Sequence, residues 1–217
     1  MLASLAGGVL LLLVLAQIIL PRIAASRISS RVGRYGSVKS VSVSAWPAIE
    51  LLWGHVDSVT VHAGALSLST SEAAKLLWEG RGAASMDLTA DAVKLGSLRV
   101  TDAVLRKRGS GLTAHALASE QAIKAALPEG FTLSLLSSEG GKVEVRAGGS
   151  LFGIGASVDA VAEADDGKLI AHPLGFLVEG FRVTLFSDPH VHIEGVGASK
   201  VPGSTPTYLL SVSARLR

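Results

Sequence analysis

The sequence predicts an α+β protein: an N-terminal membrane-spanning helix, then one domain in which a mostly antiparallel sheet packs against amphipathic helices. Three observations carry this. Met1 to Leu20 holds no charged side chain, and Gln17 is its most polar residue; twenty helical residues rise about 30 Å, one hydrocarbon core. From Phe131 onward apolar and polar residues alternate in short runs separated by Gly-rich turns, as in strands with one dry and one wet face. The helical stretches are few and do not alternate regularly with strands, so nothing points to a doubly wound parallel sheet.

The expected division is residues 1–20 as anchor or signal segment and 21–217 as a single domain. Pro21 is expected to end the apolar run. Ile23-Ala24-Ala25 is a poor cleavage site, which favours an uncleaved anchor. Arg22, Arg27, Arg31, Arg34 and Lys39 all follow the run; taken alone, that asymmetry places the domain in the cytoplasm, and a basic leader upstream would reverse it. Pro21 to Tyr35 reads as a second helix with proline at its first position. Ala24, Ile28, Val32 and Tyr35 share a face, and Arg27, Arg31 and Arg34 flank it, placed to meet anionic headgroups or to stand in water.

Ser40 to Leu68 reads as strand, short helix, strand. Val41 and Val43 alternate with serines, Pro47 opens a helix to Trp53, and Gly54 follows as its cap. Glu50 is the only charge in that helix, so it must sit in a core, against lipid or at a membrane interface. Trp46 and Trp53 either plug the core, the reading preferred here, or dip into a bilayer. Val59 and Val61 then resume the alternation.

Ser69, Thr70 and Ser71 offer N-caps for a helix from about Glu72 to Glu79, closed by Gly80. Met86–Leu95 and Leu98–Lys107 read as strands joined by Gly96-Ser97, and Leu112–Leu117 as a third. Ser119 caps a helix ending near Leu127. The two helical segments, SEAAKLLWEG and SEQAIKAALPEG, fit either an internal duplication or shared capping chemistry. Strands are then expected at Phe131–Ser137, Lys142–Ala147, Gly155–Ala164, Lys168–His172, Leu177–Phe186, His190–Gly197 and Thr207–Arg217. In the last, Tyr208, Leu210, Val212, Ala214 and Leu216 take one face.

Composition excludes several functions. The net charge is +2 and there is no cysteine, so nucleic acid is not an expected partner, and disulfides and thiolate chemistry are absent. No Gly-x-Ser-x-Gly, phosphate-loop or His-Glu-x-x-His pattern occurs. His190-x-His192 would share a strand face as a metal pair needs, but a third ligand and a base are not evident. Gly153-Ile-Gly155 reads as a bulge or a close backbone approach, and Arg106-Lys107-Arg108 as a solvated hairpin end or, less favoured, a phospholipid headgroup contact.

The hydrophobic N-terminus leading into a basic helix, the strand running into Pro47-x-x-x-Leu51-Leu52-x-Gly54, the Val59-x-Val61 strand, the capped helix and the β-rich half with its Asp165-Asp166-Gly167 turn resemble the actinobacterial LmeA-like phospholipid-binding family. The resemblance covers about Pro21 to the end. It implies an extracytoplasmic domain in which a long helix lies in a curved antiparallel sheet, with a cavity for acyl chains and a role in envelope lipid handling. It supplies no catalytic residues.

The expected function is therefore that of a membrane-anchored phospholipid-binding protein in the cell envelope, not an enzyme, with phospholipid and membrane as partners and no cofactor or metal. The expected lipid site comprises Ile28, Val32, Tyr35, Trp46, Ile49, Leu51, Leu52 and Trp53, with Arg27, Arg31 and Arg34 near the headgroup. A non-catalytic envelope scaffold is the second reading, and a metal-dependent hydrolase using His190 and His192 the third.

Overall fold

The computed structural model of the protein describes residues 2–53, 55–151, 154–174 and 182–217, with side chains from Gln17 onward except at 49–50, 52, 150–151 and 154–156. Helix α1 (Leu2–Val32) leads through a 3₁₀ turn (Gly33–Tyr35) into strand β1 (Gly36–Ser44). A second 3₁₀ turn, Ala48–Trp53, precedes β2 (Val56–Leu68), helix α2 (Thr70–Glu79), β3 (Ala83–Leu95), β4 (Leu98–Arg108), β5 (Gly111–Ser119) and helix α3 (Glu120–Ala126). The remaining elements are β6 (Phe131–Glu139), β7 (Lys142–Leu151), β8 (Ile154–Asp165), β9 (Lys168–Pro173), β10 (Val183–Phe186), β11 (Val191–Val201) and β12 (Thr207–Leu216).

The strands form two sheets, ordered β1-β2-β3-β4-β5-β12-β11 and β10-β9-β8-β7-β6. All pairings are antiparallel except β2 with β3, which α2 connects as a crossover. This agrees with the mostly antiparallel sheet expected; the exception is one unit in which a strand, a capped helix and a strand pair in parallel. The expected similarity of the two helical segments stops at capping. Ser69 caps α2 in a reciprocal capping box with Glu72, and Ser119 caps α3. But α2 joins neighbouring strands of one sheet, whereas α3 carries the chain from one sheet to the other.

Pro21 does not end the first helix: α1 is continuous through it. Contacts on both sides hold the helix together, at Gln17 before the proline and at Ile28 and Val32 after it. Among the described residues, no helix is long and apolar enough to cross a membrane.

In the larger sheet the register shifts in β1, between Gly36 and Ser40 against β2, and in β4, between Thr101 and Val104 against β5. Such a bulge bends its strand, and Asp102 takes a positive φ of 49° within the second. The β2–β3 and β3–β4 registers between them are unbroken. The C-terminal part of α1 lies across the inner face of this region. Val32 packs with Ala63, Leu66 and Ala90, and Ile28 also meets the cluster of Val59, Val61, Ala83 and Met86.

The second sheet meets the first through turns. The β6–β7 and β8–β9 turns dock on the free edge of β11, where the Val196 and Ile193 amides donate to the Gly141 and Gly167 carbonyls, each at 2.9 Å. The Ala198 amide donates to Ser138 Oγ at 2.9 Å. Gly153 lies outside the described residues; Gly155 pairs with Ser150 in an unbroken hairpin register, not at a bulge.

Candidate functional site: an apolar inner face spanning both sheets

Cross-strand register and the two-residue side-chain period define the inner face. In the first sheet it runs through Leu112 and Ala114 of β5, Val212 and Ala214 of β12, and Ile193 and Val196 of β11. Ala74 and Leu77 of α2 cover its lower end with Leu112, Val191, Ile193, Ala214 and Leu216. Across the junction Ala164, Leu169 and Phe186 of the second sheet pack against this same cluster. The apolar face is therefore continuous from one sheet to the other.

In the second sheet that face is formed by Phe131, Leu133 and Leu135 of β6, Val143, Val145 and Ala147 of β7, Val158, Ala160 and Ala162 of β8, and Leu169 and Ala171 of β9. Ser138 is its polar exception. Burial falls away from the junction: Val143 is 8% exposed, whereas Val158, Phe131 and Val183 are 37%, 43% and 44% exposed. The opposite face mixes ion pairs with two buried apolar residues, Val161 and Ile170, at 6% and 5% exposure. Arg146 makes a two-pronged pair with Asp159 at 2.7 and 2.9 Å. Glu163 is paired with Lys142 and accepts from His172 at 3.1 Å. The Lys142 ammonium first, and His172 second, hold the Glu163 carboxyl below its usual range. The far end of the inner face, at Val158, Phe131 and Val183, is left half uncovered and lacks a partner among the described residues.

The expected site residues are not gathered in one place. Val32 and Ile28 are core, and Tyr35 is half-buried in the 3₁₀ turn after α1. Arg31 is held by Glu79 of α2 at 2.9 Å, while Arg27 and Arg34 are exposed. Leu51 is half-buried; the side chains of Ile49 and Leu52, and Gly54 as a whole, lie outside the described residues. The helix expected from Pro47 is a 3₁₀ turn starting at Ala48. Trp46 and Trp53 do not plug the core: they are 75% and 69% exposed. The loop they stand on is pinned from both sides. Gln17 Oε1 accepts from the Ala48 amide at 2.8 Å, Gln17 Nε2 donates to the Ala45 carbonyl at 3.4 Å, and the Trp46 amide donates to Asp57 at 2.7 Å.

The two best-formed hollows among the described residues are open and lie elsewhere. One of about 400 Å³ is lined by Arg146, Ser157, Val158, Asp159 and Leu174; the other, about 270 Å³, by Glu120, Gln121, Lys124, Thr205 and Pro206. The first lies at the uncovered end of the second sheet.

The basic run is not a solvated hairpin end. Lys107 is 2% exposed and its ammonium donates to the Arg81 and Ala83 carbonyls. Burial lowers its pKa. Ala103, Leu105 and Lys107 share the inner face of β4, so period-2 alternation was the signal that placed it inside. Arg108 grips Asp87 with two 2.9 Å bonds on the outside. The histidines are not a pair either. His190 precedes β11, stacks on Trp78 at 4.3 Å and lies 3.3 Å from Asp188; His192 contacts Arg217. No cluster of three or more potential metal ligands occurs among the described residues.

A mostly antiparallel sheet with a long helix on its inner face and an apolar surface left half-covered is the architecture the structure shows. The chain belongs to the LmeA-like phospholipid-binding family, whose model matches residues 13–198. No curated protein and no solved structure matches it.

Proposed function

We propose that this protein is a membrane-anchored, extracytoplasmic phospholipid-binding protein that handles lipids of the cell envelope and holds acyl chains against the inner face described above. One observation carries the reading: the apolar face of the second sheet runs out of the core and stays half-exposed at Val158, Phe131 and Val183. Each methylene buried there contributes about 0.8 kcal/mol. The family supports phospholipid as the ligand. The anchor rests on the sequence alone, in which Met1 to Leu20 carries no charged side chain. The role is one of binding and not of catalysis.

The test is lipid extraction and mass spectrometry of the purified full chain beside Val158→Glu. Val158 is exposed enough for the fold to accept the change, but a charge on the acyl path is disfavoured. The variant is expected to lose bound phospholipid while melting like the parent. A parent that carries no phospholipid and takes none from anionic vesicles sinks the proposal. Sidedness has its own test: with no native cysteine, Ser204→Cys is the sole thiol, and a membrane-impermeant maleimide is expected to label it in intact cells. Labelling only after lysis refutes the extracytoplasmic placement.

A further inference from the structure

The loop at Pro47 and the outer face of α1 each expose apolar side chains, away from the inner face. Along the outside of α1 the exposed residues are Ile18, Ile19 and Ile23, then Ser26, Arg27, Ser30 and Arg31, with Arg22 at the changeover. The helix therefore turns from isoleucine to arginine on one face within about two turns. Trp46 and Trp53 stand exposed on the loop that Gln17 fastens to this level of the helix. The third tryptophan, Trp78, is half-buried under His190 and Arg81 instead.

We infer that Trp46, Trp53, Ile18, Ile19 and Ile23 form a platform that sits in the membrane–water interface. The occupant is a bilayer surface, for three reasons. Tryptophan is enriched at the headgroup level, where its ring is amphipathic. Ile18 to Ile23 covers about 7.5 Å along the helix, within the roughly 5–10 Å to which interfacial apolar faces bury. The arginines begin at Arg22, at the lower edge of that depth, and continue at Arg27 and Arg31; each contributes about 1 kcal/mol against an anionic leaflet. Gln17 serves as a positioning residue, since its two backbone hydrogen bonds fix the height of the tryptophans relative to the helix. The platform holds the domain at a set depth instead of leaving it on a tether.

The inference rests on reading the chain as a membrane-bound lipid binder, and its test keeps the two apart. The full chain is reconstituted in phosphatidylcholine–phosphatidylglycerol vesicles with spin-labelled lipid as quencher. Three single-tryptophan versions are compared, keeping Trp46, Trp53 or Trp78 with phenylalanine at the other two positions. Trp46 and Trp53 are expected to emit at shorter wavelength in vesicles and to be quenched most by labels near the headgroup, with Trp78 quenched far less. If iodide in the water reaches Trp46 and Trp53 in vesicles as freely as free tryptophan, the platform is refuted. A blue shift without quenching by labelled lipid points to a second copy of the chain as occupant and refutes it equally. Bound phospholipid is measured in the same samples: quenching lost with lipid retained sinks the platform alone, and lipid lost with quenching retained sinks the inner-face site alone.

Discussion

Gln17→Met removes the polar group that, among the described residues, α1 offers to the Pro47 loop, while keeping side-chain length. Ala48 is 1% exposed, and its amide donates to Gln17 at 2.8 Å. Leaving a buried amide without an acceptor costs about 1–3 kcal/mol. The bond to the Ala45 carbonyl is long at 3.4 Å and adds little. With a central loss of about 2 kcal/mol, and roughly 2–4 °C per kcal/mol for a domain of this size, Tm should fall by about 4–8 °C. Hydrogen exchange supplies the local readout: the Ala48 amide should be protected in the parent and exchange freely in the variant. Equal melting with undiminished protection at Ala48 would show that the clamp does not hold the loop.

Three further outcomes follow from other contacts. Gly167→Ala puts a side chain at a φ of +75° and against the His192 ring, so it should destabilise the sheet junction by more than the roughly 1 kcal/mol typical of a glycine change; melting checks this, and a neutral result refutes the close approach. Ser69→Ala removes the cap of α2 and should cost about 1 kcal/mol, read from denaturant unfolding. Glu163, held below its usual range by Lys142 and then His172, contributes stability above the unfolded carboxylate pKa of about 4.3 that is lost as pH falls through the folded value. Lys142→Met should therefore shrink the drop in Tm between neutral pH and pH 3; an unchanged drop refutes the coupling.

Much of the architecture was legible because it rests on local chemistry. Ser69 with Glu72 and Ser119 announced both short helices, and the Gly96-Ser97 and Asp165-Asp166-Gly167 turns announced hairpins. Strand alternation also assigned apolar faces, as at Tyr208, Leu210, Val212, Ala214 and Leu216 of the last strand. Other features depend on contacts distant in sequence. Pro21 signals a helix end, yet packing on both sides carries α1 through it. The apolar character of Trp46 and Trp53 cannot by itself distinguish a core from an interface; Gln17 and Asp57, 29 residues before Trp46 and 11 after it, hold them outside. Lys107 was misplaced because its basic neighbours outweighed the strand period that turns it inward. The inner face was not localised because the meeting of the second sheet with β11 is made by turn carbonyls that no sequence period encodes.

That end-on junction has a consequence for ligand length. Because Gly141, Gly167 and Ser138 fix the second sheet to β11 at one end, the opposite end, at the β7–β8 hairpin, grows or shrinks without disturbing the attachment. Each pair of residues added to both strands lengthens the apolar track by about 6.6 Å and keeps the alternation in phase. If acyl chains lie on this face as proposed, the length of that hairpin sets how much of a chain the face covers.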